Sequence, residues 1–250
     1  MTTHVLLDIE GTTCSVSFVN EVLFPYASSQ LDIFLRHNKS HPEVNCILDE
    51  AMQEWHQDRE PKSEALLKAA LKSKQGPKEE ISTYLLHLIS TDRKSTALKD
   101  LQGRIWNEGY KSGAIQSSLF PEIPETLKTI RAQGYHLATY SSGSIPAQRL
   151  LYKHSQYGDL SALFNYWFDT RSGSKKESSS YRNICTAMSS SPKEVLFVSD
   201  SKAECDAASA ADLQAIFSLR KGNPEQDPGQ HLSIGRLDDL LRHLNESCPA

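Results

Sequence analysis

The sequence predicts a doubly wound, Rossmann-like parallel α/β sheet with an all-helical insertion after its first strand. Three observations predict it. Short apolar runs end in acids or hydroxyls, Val5-Leu6-Leu7 before Asp8 and Val195-Leu196-Phe197-Val198 before Ser199-Asp200; such runs read as strands buried on both faces. After Pro121 strand and helix patterns alternate, which builds a parallel sheet covered on both sides. Between these regions residues 18–111 carry helical periodicity and no strand candidate. The expected organisation is an α/β core of residues 1–17 and 115–250 and a helical cap of residues 18–114.

The elements follow in order. Strand one spans residues 4–8 and feeds Gly11-Thr12-Thr13, a loop. In the insertion, Val44, Ile47, Leu48, Ala51, Met52 and Trp55 share one helix face. Ile81, Tyr84, Leu85, Leu88 and Ile89 share another, with shorter repeats at Leu66, Leu67, Ala70 and Leu71 and at Leu98, Leu101 and Ile105. Residues 125–133 form an amphipathic helix stopped by Gly134. A strand at 136–140 ends in Ser141-Ser142-Gly143. Then come a helix at 146–154, a short strand at 166–168, a helix at 178–189, the strand at 195–198, a helix at 203–211, a strand at 214–219 and a closing amphipathic helix at 234–244. Residues 221–231, with two glycines and two prolines, read as a loop.

Composition narrows the class. The chain has 250 residues, 27 Lys+Arg against 31 Asp+Glu, 38% hydrophobic and 23% charged residues, which excludes wholesale disorder, collagen-like sequence and coiled coil. The net charge of −4, without a basic stripe, speaks against nucleic acid as a partner. No run approaches the roughly 20 apolar residues of a membrane helix, so no membrane partner is expected. Met1-Thr2-Thr3-His4 has no basic flank or cleavage site, and an intracellular location is expected. Cys14, Cys46, Cys185, Cys205 and Cys248 include no C-x-x-C and read as reduced thiols. His37 and His41 are four apart, but the intervening loop residues argue against a metal pair.

Ligands of doubly wound sheets bind outside the carboxyl ends of the strands. Asp8 and Glu10 stand there after strand one, Ser141 and Ser142 after strand two, Lys175 after strand three and Asp200 after strand four. Alone, each has an ordinary reading: a loop carboxylate, turn chemistry before Pro146, a solvated lysine. Together they suit a magnesium ion with a phosphate, the carboxylates holding the hard cation while Lys and Ser take phosphoryl oxygens.

This ordered set resembles the four motifs of the haloacid dehalogenase-like phosphohydrolases. Within them, Asp8-Ile9-Glu10-Gly11-Thr12-Thr13 with Ser17-Phe18-Val19 and Val22-Leu23-Phe24-Pro25-Tyr26-Ala27 looks like the enolase-phosphatase E1 family of methionine salvage. So do Leu101-Gln102-Gly103, Ile105-Trp106, Glu108-Gly109-Tyr110-Lys111-Ser112-Gly113, Tyr140-Ser141-Ser142-Gly143-Ser144 and Phe168-Asp169-Thr170 leading to Lys175. The resemblance covers nearly the whole chain. It implies a bifunctional, monomeric enzyme with one Mg2+ per chain, working in the cytoplasm, or also the nucleus of a eukaryotic cell. That enzyme enolises 2,3-diketo-5-methylthiopentyl-1-phosphate and then hydrolyses it to the acireductone. It further implies Asp8, Glu10 and Asp200 as metal positions, Ser141 and Ser142 as substrate-binding, and Lys175 on the phosphate or the developing enolate. Glu204 follows Asp200 closely and is a candidate neighbour of the metal rather than a ligand.

Elementary chemistry agrees. A carboxylate nucleophile splits phosphate hydrolysis into two displacements, and Asp8 is the natural candidate. Glu10, two residues on and on the same side of an extended segment, suits protonation of the leaving oxygen and activation of water. For the proton taken from carbon, Glu10 is one candidate base and a cap residue another. A same-fold phosphatase of another small phosphomonoester and a non-catalytic phosphate-binding module are the alternatives. The residues of the insertion weigh against the first, and the intact set of five site positions against the second.

Overall fold

The computed structural model describes residues 1–93 and 95–246. These form two compact units, one of Met1–Val19 with the chain from Gln116 onward, the other of Asn20–Ile115.

The first unit is built on parallel strands: β1 (His4–Leu7), β2 (His136–Tyr140), β3 (Tyr166–Phe168), β4 (Val195–Ser199), β5 (Gln214–Ser218) and β6 (Leu232–Ile234), ordered β3-β2-β1-β4-β5-β6. β1 is central: Leu7 lies opposite Thr139 on one side and Val198 on the other. The chain builds outward from β1 on one side, then returns to build the other, which places the switch point beside β1 and β4. Residues 8, 140 and 199 consequently emerge level at one rim. A single turn, α1 (Val16–Phe18), follows the β1 loop, and helices α7 (Ile123–Ala132), α8 (Ile145–Lys153), α9 (Ser178–Ala187) and α10 (Lys202–Ser209) connect the strands. Leu6, Tyr140, Tyr181, Ile184 and Phe197 share one buried cluster, the burial on both faces that a Val/Leu/Phe-rich parallel strand requires.

One expectation is corrected here. Residues 234–244 are not a single helix: Leu232–Ile234 is edge strand β6, with Ile216 opposite Leu232. A 3-10 turn at Leu237–Asp239 and helix α11 (Leu240–Glu246) follow. Gly235 separates strand from helix, and the helical periodicity is real from Leu237, which is buried with Leu240 and Leu244. A three-residue edge strand is too short for alternation to register.

In the second unit, α2 (Phe24–Asn38), α3 (Pro42–Gln57), α4 (Pro61–Lys72), α5 (Ile81–Ser90) and α6 (Thr96–Ser112) pack together. Proline in the first turn of α3 and α4 suits positions whose N–H has no helical acceptor. Gly113, with φ of 75°, ends α6. His37 lies in α2 and His41 caps α3, so the pair stands on different elements. The core centres on Trp55, wholly buried, stacked on Tyr84 at 5.0 Å and donating its indole N–H to the Ser63 carbonyl at 3.0 Å. In α4 the expected apolar face is only partly used. Ser63 and Ala70 are buried while Leu71 is 60% exposed.

Among the described residues no helix is long and apolar enough to cross a membrane. Cys14, Cys46, Cys185 and Cys205 are free thiols, and Cys248 lies outside the described residues.

Trp55 generates a prediction. Trp55→Ala removes a buried ring, its stacking partner and a hydrogen bond, and should cost about 3–5 kcal/mol. Urea unfolding followed by circular dichroism measures it, and a loss below about 1 kcal/mol would contradict this core assignment.

Candidate active site

The rim begins where β1 stops. The Asp8 amide still donates to Val198 O at 2.9 Å, and the chain then turns sharply, with the Thr12, Thr13 and Cys14 amides all donating to Ile9 O. Gly11 makes the turn at φ of 68°, a conformation that favours glycine. Its bare Cα also gives room to Asp200, since a Cβ there would stand 2.0 Å from Asp200 Oδ2. Thr13 anchors the far side of the turn, its hydroxyl 2.8 Å from the buried Tyr152 OH.

Lys175 is buried at the centre. Its ammonium lies 2.6 Å from Asp8 Oδ1 and 2.6 Å from Glu204 Oε2. Burial opposes its charge, but Asp8 and Glu204 outweigh burial and hold it above the ordinary lysine range. Ser199 Oγ lies 2.7 Å from Glu204 Oε2 and 3.4 Å from Asp8 Oδ2. A hydroxyl has one hydrogen, and the shorter contact assigns it to Glu204.

The loop that carries Lys175 is fixed by two tyrosines. Tyr181 OH donates to Lys175 O at 2.7 Å, and Tyr140 OH to Gly173 O at 3.0 Å. Gly173, at φ of 124°, admits no side chain because Ser180 Oγ occupies that space.

The serines stand on the next strand end. Ser141 is buried, its hydroxyl accepting the Gly143 amide at 3.2 Å, and Ser142 is half-buried. Gln148 holds this loop from behind: its amide nitrogen donates to Gly143 O and Phe168 O, both at 2.8 Å, while its oxygen accepts Thr139 Oγ1 at 2.6 Å. Asp169 accepts the amide of Ile145 at the start of α8 at 3.3 Å.

Asp200 follows β4. Burial first, then the neighbouring Asp8, pushes its carboxyl up to about 8, with Glu204 and Glu10 adding to the repulsion. Glu204 is likewise raised by burial and Asp8. These acids repel one another in a poorly solvated place, and all their donors are hard oxygens, so the set fits a divalent cation such as magnesium. Among the described residues no three acid, His or Cys side chains form a ready-made metal cage.

Of the residues expected from sequence, Asp8 and Lys175 are thus in direct contact, Asp200 lies over Gly11, Glu10 is within electrostatic reach of Asp200, and Ser141 and Ser142 occupy the β2 end. Two participants were not assigned these places by sequence. Glu204 pairs with Lys175 rather than simply flanking Asp200, and Ser199 bridges towards both Glu204 and Asp8. The i, i+4 spacing of Asp200 and Glu204 across the start of α10 is the signal that could have found the first; a serine ending a buried strand carries no such mark.

Comparison with known proteins agrees with this geometry. Residues 2–212 match the haloacid dehalogenase-like hydrolase family. The chain is 54% identical to "Enolase-phosphatase E1" of Prochlorococcus marinus (strain MIT 9313), over 98% of this chain and 100% of that protein. It is similar to the crystal structure of UTR4 protein (Unknown transcript 4 protein) from Saccharomyces cerevisiae, with 31% identity, a TM-score of 0.69, and 94% and 98% of the two chains covered. An L-2-haloacid dehalogenase from Xanthobacter autotrophicus, 14% identical over 99% of this chain and 100% of its own, shares the fold alone at a TM-score of 0.55. A first-strand acid turn, a buried lysine between two carboxylates and full-length identity to these relatives lead to one conclusion: the chain belongs to the haloacid dehalogenase-like hydrolases and, among them, to the enolase-phosphatase E1 family.

Proposed function

We propose that the protein converts 2,3-diketo-5-methylthiopentyl-1-phosphate to its enol and then, through an aspartyl-phosphate on Asp8, to 1,2-dihydroxy-3-keto-5-methylthiopentene. The family implies a small phosphorylated substrate and a divalent metal. The observation that carries the reading is the Lys175 ammonium held 2.6 Å from both Asp8 and Glu204 at the carboxyl ends of β1 and β4. Asp8 and Asp200 would hold one Mg2+ through their carboxylates and Glu10 through its backbone carbonyl, which leaves the Glu10 carboxyl free to carry a proton; the ion when bound offsets the charge of phosphate and carboxylate. Asp8 attacks phosphorus, forming the carboxyl–phosphate bond as the ester P–O bond breaks, and Glu10 gives its proton to the departing oxygen. Glu10 then takes a proton from water, which attacks phosphorus and releases inorganic phosphate and Asp8. Ser141 and Ser142 donate to phosphoryl oxygens, and Lys175 stabilises negative charge on the phosphate or the enolate. The reading includes residues 18–114 as a cap that selects the substrate, and a monomer working in the cytoplasm.

The test is an assay of the purified enzyme on the diketo phosphate that follows enol absorbance and phosphate release separately. Magnesium-dependent appearance of both supports the reading, and absence of either overturns the bifunctional assignment. Asp8→Asn, nearly isosteric, should abolish phosphate release yet accumulate the enol phosphate at saturating Mg2+, seen as rising ultraviolet absorbance with no free phosphate. If both signals vanish together, Asp8 serves enolisation as well and the division of labour is wrong; phosphate turnover within about tenfold of wild type sinks the nucleophile assignment. Asp200→Ala should raise the Mg2+ concentration for half-maximal activity at least about tenfold. An unchanged titration curve with full activity means the ion is held elsewhere.

A further inference from the structure

Behind the acid turn lies a second layer of buried polar residues that the reaction itself does not use. The Gly11 carbonyl accepts two hydrogen bonds, from Ser218 Oγ and from Asn223 Nδ2, each at 2.9 Å. The next carbonyl, Thr12 O, accepts Arg220 Nη2 at 3.0 Å. All three donors come from the end of β5 and the loop beyond it, and all are buried. Asn223 Nδ2 is itself tied to Ser218 O at 3.2 Å. Arg220 is neutralised by buried Glu122 at 2.7 Å and lies 3.9 Å over the Phe120 ring. Glu122 also accepts the Leu237 amide at 3.3 Å, so the anchorage extends to the closing segment of the chain.

Three donors converge on two consecutive carbonyls, and the first of these belongs to Gly11, the residue on which Asp200 rests. Glu10 is its immediate chain neighbour. The position of the Gly11 peptide therefore sets both the space under the Asp200 carboxylate and the direction in which Glu10 leaves the turn. We propose that Ser218, Arg220 and Asn223 are positioning residues: a clamp on the Gly11–Thr12 backbone that holds Glu10 and Asp200 at the separation a magnesium ion needs. The proposal rests on the assignment of those acids to the metal. Asn223 would act through the backbone, with no contact to the ion.

The test is calorimetric titration of Mg2+ into the substrate-free enzyme, for wild type, Asp200→Ala, Asn223→Ala and Ser218→Ala, with thermal denaturation of each metal-free protein alongside. Asn223→Ala should weaken Mg2+ binding about tenfold, the scale on which supports of metal ligands act. Ser218→Ala, which deletes one hydroxyl, should weaken it in the same direction by less while melting close to wild type. A merely structural role would lower the melting temperature and leave the Kd of the folded protein unmoved. If Asn223→Ala does not fold, Ser218→Ala decides alone. Mg2+ affinity within twofold of wild type in every variant of this pair that folds overturns the clamp. Wild type that binds no Mg2+, or Asp200→Ala that binds it as tightly as wild type, overturns instead the metal assignment on which it rests.

Discussion

The buried Lys175 ammonium is the constraint around which the α/β unit is arranged. Removing an ammonium from water costs several kcal/mol, and only close, well-oriented acids return it. Asp8 and Glu204 do so at 2.6 Å each, from the end of β1 and from α10. Three chain segments far apart in sequence must therefore meet within a hydrogen bond's length, and the parallel register of β1 with β2 and β4 brings their ends level. The charge does not balance within the protein. Asp8, Glu10, Asp200 and Glu204 set four acids against one ammonium, and burial together with the neighbouring Asp8 pushes the Asp200 carboxyl up to about 8.

Precision on such a rim is a problem because every reacting group sits on a loop. The solution recurs at three of these loops, each held from behind by a buried side chain that hydrogen-bonds its backbone. Tyr181 and Tyr140 hold the Lys175 loop, Gln148 the serine loop, and Ser218, Arg220 and Asn223 the acid turn. Hydrogen bonds of this kind between buried groups rigidify their surroundings, whereas a missing donor would leave a desolvated carbonyl. Two glycines complete the arrangement, Gly11 under Asp200 and Gly173 against Ser180, each where a methyl group would collide.

This division explains what the sequence made legible. Asp8, Glu10, Ser141, Lys175 and Asp200 follow apolar strands or short segments beyond them, so periodicity alone carries them to one rim. The helices of the second unit were equally plain, because Ile47, Leu48, Ala51 and Trp55 or Tyr84, Leu85 and Leu88 repeat at helical spacing. What stayed hidden depends on side chain to backbone bonds or on very short elements. Residues 221–231 read as an ordinary loop, yet Asn223 within it supports the acid turn, and nothing periodic announces such a role. β6 is three residues long with Leu232 half-exposed on the edge, so its pairing with β5 is a tertiary fact. The α4 face differs for a related reason: hydrophobicity marks Leu71, whereas the residues the fold buries there include the small Ser63 and Ala70.

On the proposed mechanism the two half-reactions make different demands on this charge arrangement, and Lys175 is where they meet. A lysine ammonium has three N–H groups; with two directed at Asp8 and Glu204, one is left for an incoming oxygen. In hydrolysis the bond to Asp8 has a cost, since it withdraws electron density from the nucleophile, and attack is favoured as the ammonium turns from Asp8 to the phosphoryl oxygens. In enolisation the bond to Asp8 is not needed, because Glu204 alone can keep the ammonium in place while the enolate oxygen gains charge. Glu204 makes the two compatible. It holds Lys175 charged and positioned through both steps, and its own place is secured by the Ser199 hydroxyl at 2.7 Å. A single cation anchored by a residue outside the chemistry can thus serve two successive transition states whose negative charge develops on different oxygens.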